Sequence, residues 1–195
     1  MDIQNSHDKY FKEIFTQIEP ARSFVENYLP KDISCQIDSS TLEIMKDSFV
    51  SKELSEIYSD VLYRVDIKGE IAYIYILMDH KSYPDKAVSF QLLKYKYLIW
   101  EKEIKGNRKW KKLPLIIPLV FYHGKEKWKI ESNFSDIVYI NEKSLEKYAV
   151  NFDYILCDLS ELSDDEILGN VLLKLVIFTF KHIFDNRSSV VDCHI

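Results

Sequence analysis

Glycine is scarce in this chain, with four residues in 195. Neither GxxxxGK followed by Ser or Thr nor GxGxxG occurs. A simple P-loop and a Rossmann dinucleotide site are therefore excluded, since both need glycine where the backbone meets phosphate. Cysteine is equally sparse: Cys35, Cys157 and Cys193 are odd in number, far apart and form no CxxC pair. A disulfide framework and a thiolate zinc site have no basis, and a reducing cytoplasmic setting is expected. No apolar run is long enough to cross a bilayer. The longest, 113–122, contains Pro114 and Pro118 and is about half of the roughly 20 residues a membrane helix needs. The N-terminal string MDIQNSHDKY carries an acid early and has no apolar core, unlike a secretory signal. Positive charge is not in excess either: the formal net charge is −5, which excludes a uniformly basic nucleic-acid coat.

What is present is apolar and aromatic. Apolar residues make up 47% of the chain, with thirteen Tyr and eleven Phe, enough for a sizeable core. The length suits one domain, read as residues 1–185 with a C-terminal tail at 186–195. Residues 8–29 carry Phe11, Ile14, Phe15 and Ile18 at helical spacing. Pro20 is expected to break this helix and Pro30 to end it. Residues 41–50 alternate loosely, as a strand does. Two β-rich runs, 57–67 and 71–79, flank Lys68-Gly69 and predict a hairpin. The second run is apolar on both faces, which argues a central strand covered by helices. After Pro84 the period becomes 3.6, with Val88, Leu92, Tyr95 and Ile99 on one stripe of a helix ending near Gly106. Strands at 115–122 and 154–157 and a helix at 170–184 complete the reading. The order indicates an α/β fold with a mixed central β-sheet flanked by helices.

One constellation carries chemistry. Asp60 lies in the strand string SDVLYRVDI, and Asp79 and Lys81 lie at the end of the next strand in ILMDHKS. Aspartate is unfavourable in strands and costly beside a buried run unless it is paired or metal-bound. Alternation puts Asp79 and Lys81 on one side, and the hairpin brings Asp60 toward Asp79. Two carboxylates beside a lysine suit hydrolysis of a phosphodiester. The carboxylates hold Mg²⁺ or Mn²⁺, and the lysine orients water or stabilises the transition state. The same triplet is also what a solvated strand end with a surface ion pair looks like. Arg64 and Asp66 share the strand face of Asp60, so Arg64 is a candidate ion-pair partner for it. His123, before Gly124, is read as a turn histidine.

The chain resembles the Rpn family of recombination-promoting nucleases, also called putative transposases, within the PD-(D/E)XK nuclease superfamily. The resemblance rests on HDKYFKEIF at 7–15, SFVENYLP at 23–30, DSFV at 47–50, SDVLYRV at 59–65, YILMDHKSYPDK at 75–86, FQLLKY at 90–95 and LPLIIPLVFYHG at 113–124. It implies a restriction-endonuclease-like core that cleaves DNA with a divalent metal. Residue by residue, it implies Asp60 and Asp79 as metal-binding acids and Lys81 as the motif lysine. Where the family more often has Glu-His-Gln-Ser, this chain has Asp79-His80-Lys81-Ser82. Gln91 and Tyr95 resemble the QxxxY element of RecB-like nucleases, an i, i+4 pair on one helix face, although Tyr95 also reads as a core aromatic. Asp8 is a further accessory candidate from the first helix, with a favourable charge at a helix N-terminus as its other reading. Family members are commonly longer at the C-terminus. The implied function is a metal-dependent DNA endonuclease associated with recombination or transposition, with a homodimer as a candidate assembly. The alternative is a catalytically inactive relative that binds DNA or a partner protein.

Charge patterning points the same way. Residues 102–129 hold nine Lys or Arg against two acids, a balance of +7, which leaves −12 elsewhere. Trp100, Trp110 and Trp128 sit at or within that stretch. Lys105, Arg108, Lys109, Lys111 and Lys112 are the expected DNA-binding residues, with lysines neutralising phosphates and aromatics stacking on bases. A solvated loop is the other reading. For a nuclease, the basic segment is expected to fold beside Asp60 and Asp79.

Overall fold

The computed structural model describes residues 3–45, 60–79, 83–107 and 109–183, with the backbone alone at 3–8 and 79. Helix α1 (Ile3–Phe15) is followed by α2 (Ile18–Tyr28) and the short α3 (Lys31–Ser34). The break falls at Thr16-Gln17, and Pro20 is buried inside α2 at its third position. The expected break at Pro20 is thus corrected. The first turn of a helix leaves its N–H groups without partners in any case, so proline is tolerated there. The chain does turn at Pro30, after the extended C-cap Leu29.

Strand β1 (Ile37–Met45) pairs antiparallel with β2 (Val61–Ile67), and β2 pairs antiparallel with β3 (Glu70–Asp79). β1 starts four residues before the expected 41, while 46–50 and 57–59 lie outside the described residues. The hairpin turn is Lys68-Gly69, with φ of 55° and 86°. Two positive φ values in a two-residue loop match the right-handed twist of the strands. The long helix α4 (Ala87–Gly106) then carries the chain back to β4 (Leu115–Tyr122), parallel to β3. β5 (Ile155–Asp158) adds parallel to β4. The sheet order β1-β2-β3-β4-β5 makes a mixed five-stranded α/β sheet, as expected. Pro118 comes one residue before β5 joins at Leu119, where β4 is still an edge on that side and a missing N–H costs no ladder bond.

Both faces of the sheet are covered. On one, Phe11, Phe15, Phe24, Phe121 and Phe180 from α1, α2, β4 and the last helix α5 (Val171–His182) form an aromatic core with Ile74, Ile76 and Met78. There the Tyr63 hydroxyl donates to the Phe15 carbonyl at 2.7 Å. On the other, Tyr73, Tyr75 and Leu77 of β3 meet Val88, Leu92, Tyr95 and Ile99 of α4. Alternation along β3 thus serves two helical layers, which is why its sequence is apolar throughout. No helix among the described residues is long and apolar enough to cross a membrane.

Candidate active site

The hairpin sets the site. With a two-residue turn, paired positions in β2 and β3 are fixed, as in Val61↔Ile76 and Leu62↔Tyr75. One step further along this register, Asp60 stands level with Leu77, two residues short of Asp79. Asp60 shares the face of Leu62, which packs in the layer of Tyr75 and Tyr95. Both carboxylate oxygens of Asp60 are shielded from solvent. Its charge is felt at Tyr75, whose hydroxyl is pushed well above its ordinary 10.0 first by burial, then by Asp60 and by Tyr95. The Tyr75 and Tyr95 rings stack at 4.6 Å with a 28° interplanar angle. Gln91 lies one helical turn before Tyr95 on the same face of α4, and its amide nitrogen is buried without a hydrogen-bond partner among the described residues.

Four residues that the sequence singles out therefore lie at one end of the sheet. Asp60 precedes β2, Asp79 ends β3, and Gln91 and Tyr95 lie toward the start of α4, which returns from that same end. Tyr95 is both things the sequence allowed: fully buried and in the layer that flanks Asp60. Tyr75 was missed, although the hairpin register places it diagonal to Asp60. Lys81 and Arg108 lie outside the described residues, and Asp8 is placed only by its backbone in α1. Arg64 meets Glu43 of β1 at 2.9 Å, and Asp66 accepts from the Gly69 amide at 2.6 Å. The ion pair expected between Arg64 and Asp60 is thus replaced by one across β1 and β2. His123 is buried, with its ring 5.0 Å from that of Phe180, on the opposite face of the sheet from Tyr75.

The basic segment divides. β4 runs from Leu115 beside Ala72 to Tyr122 beside Asp79. Lys105, Lys109, Lys111 and Lys112 precede Leu115 and sit at the Ala72 end. Only Lys125, Lys127 and Lys129 follow Tyr122 at the Asp79 end, and Lys127 is paired with Glu161 at 3.0 Å. The basic segment 102–129, expected beside Asp60 and Asp79, thus stands there only in its last part, and 105–112 is corrected to the opposite end of the sheet. The cause is the length of α4, whose 20 residues cover roughly 30 Å and carry the chain across the sheet.

A divalent metal at this end would meet oxygen ligands. The shielded Asp60 carboxylate fits that requirement, since hard cations select carboxylate oxygen. The described residues contain no group of three or more His, Cys, Asp or Glu that could hold a metal ion.

The family model described as "Putative transposase, YhgA-like" matches residues 5–194. The chain belongs to this family. Among its relatives, the recombination-promoting nuclease RpnC of Escherichia coli strain K12 is 30% identical over 178 residues, covering 91% of this chain and 58% of RpnC. The recombination-promoting nuclease RpnA of the same strain is 32% identical, covering 91% of this chain and 60% of RpnA. A third, named as an inactive recombination-promoting nuclease-like protein, RpnE, is 30% identical over 92% of this chain and 59% of its own length. The chain thus spans about three fifths of the length of these relatives. No solved structure matches it. The family is one of recombination-associated nucleases that also includes inactive members.

Proposed function

We propose that this protein is a metal-dependent DNA endonuclease that hydrolyses phosphodiester bonds in recombination or transposition. The observation that carries the reading is the shielded Asp60 carboxylate, held beside the Tyr75–Tyr95 stack at the sheet end where β3 closes on Asp79. Asp60 and Asp79 hold Mg²⁺ or Mn²⁺. Bound there, the cation supplies Lewis-acid activation of water and of the scissile phosphate. Lys81 orients the attacking water and stabilises charge that develops on the phosphoryl oxygens. Tyr75 and Tyr95 fix the Asp60 carboxylate, and Gln91 offers a buried amide donor one turn away.

A second reading has its own support: RpnE, named inactive, is as similar to this chain as RpnC is. On that reading the protein binds DNA or a partner chain without cleaving. Supercoiled plasmid with millimolar Mg²⁺ separates the two. The nuclease nicks or linearises the plasmid, stops in EDTA, and loses at least about a hundredfold in rate as Asp60→Asn, the scale of losing one preorganised electrostatic group. Plasmid left intact by the wild-type protein in Mg²⁺ and in Mn²⁺ selects the second reading.

A further inference from the structure

The end of the molecule opposite Asp60 has a cleft of its own, about 690 Å³, between the β2–β3 turn and the link from α4 to β4. Trp110 lies in its wall and is 45% exposed, between Lys109 and Lys111-Lys112. Ile71 and Leu115 add exposed apolar surface beside it. Among the described residues Lys109, Lys111 and Lys112 form no ion pair, whereas Lys105 is held by Glu101 at 3.0 Å. The acids of the cleft are Glu70 and Glu103, and Glu103 accepts from the Tyr73 hydroxyl at 2.8 Å. The three lysines therefore face two carboxylates, a formal balance of +1 in the cleft lining.

We propose that this cleft is a docking site for single-stranded nucleic acid, separate from the cleavage end. An indole flanked by lysines on both sides in sequence suits one unpaired base on the ring and phosphates to either side. A duplex keeps its bases stacked on each other and offers nothing to Trp110. The lysines also outweigh the partial negative charge that the C-terminal end of α4 presents nearby. Ala72 lines the cleft and Asp79 ends the same strand. Seven residues at about 3.3 Å each separate them by roughly 23 Å. A strand held at Trp110 thus enters well away from Asp60, and the docking site does not depend on metal or on cleavage.

The test is fluorescence anisotropy of a labelled oligothymidine strand in EDTA. The wild-type protein is expected to bind it. Trp110→Ala weakens binding about tenfold, the scale of one lost base stack. The triple variant Lys109→Gln, Lys111→Gln, Lys112→Gln lowers the slope of log K against log salt by about two. All four positions are exposed, and unfolding midpoints verify that the variants are folded. Wild-type protein that does not bind the strand, or both variants binding it like the wild type, overturns the proposal. So does a preference for duplex that Trp110→Ala leaves unchanged. Because no metal is present, a failed plasmid assay and a failed binding assay are separate results.

Discussion

Tyr75 of β3 and Tyr95 of α4 stack with ring centroids 4.6 Å apart, and the pair joins the central strand to the helix that covers it beside Asp60. Tyr95→Ala leaves a hole in this layer and is expected to cost about 3–5 kcal/mol, the range for a large buried aromatic. Tyr75→Phe keeps the ring and loses one hydroxyl, for about 1 kcal/mol. Urea unfolding measures both. In the plasmid assay Tyr75→Phe is expected to slow cleavage while its unfolding midpoint moves little, because the hydroxyl acts on Asp60 and the ring does the packing.

Gly169 has φ of 109°, and a Cβ there would meet Leu173 Cδ2 at 2.7 Å and Ser23 Oγ at 2.8 Å. That Ser23 oxygen accepts from the Asn170 amide at 2.9 Å, and Asn170 in turn caps α5 by accepting from the Leu173 amide. Gly169→Ala is therefore expected to destabilise by at least about 2 kcal/mol, from backbone strain and from the clash together. Gly69 has φ of 86° with nothing within 4 Å of the same position. Gly69→Ala is expected to cost only the strain, about 1 kcal/mol. Equal denaturation midpoints for the two variants would show that the contacts around Gly169 do not matter.

Asp164 meets Lys181 and, at 2.9 Å, His182 Nε2. Lys181 first and His182 second hold its carboxyl below the ordinary 3.8. A carboxyl whose pKa falls on folding contributes stability that is present above its unfolded pKa and is lost as pH falls through the folded one. The wild-type protein is expected to be more stable than Asp164→Asn at pH 7, and the gap is expected to close below about pH 4. Thermal melts across this range check the sign. A gap that widens in acid contradicts it.

Much of this arrangement was legible in the sequence, for physical reasons that differ by element. The strand at 115–122 was read to the residue because apolar character and flanking punctuation coincide there. Lys68-Gly69 was read as a turn, and a two-residue turn fixes register, so Asp60 could be brought toward the end of β3. Tyr75 follows from that same register, but a tyrosine in an apolar run looks like core until the carboxylate diagonal to it is counted. The start of β1 was hidden by Ser39-Ser40-Thr41. There the Ser40 hydroxyl and amide bond to Asp38 Oδ1 across an irregular register, and the pattern resembles a loop. The basic segment misled because summed charge has no direction, while a helix of 20 residues does. The expectation that Asp60 and Asp79 hold a metal rests on two carboxylates brought together by the hairpin and on the family resemblance.

Calorimetric titration of Mn²⁺ into the wild-type protein, Asp60→Asn and Asp79→Asn tests the central claim most directly, because it asks whether these two carboxylates hold the ion regardless of turnover. The expected result is saturable binding in the wild type and a loss of at least about tenfold in affinity in each variant, with unfolding midpoints showing that both are folded. Variants that bind Mn²⁺ as tightly as the wild-type protein would contradict the assignment of Asp60 and Asp79.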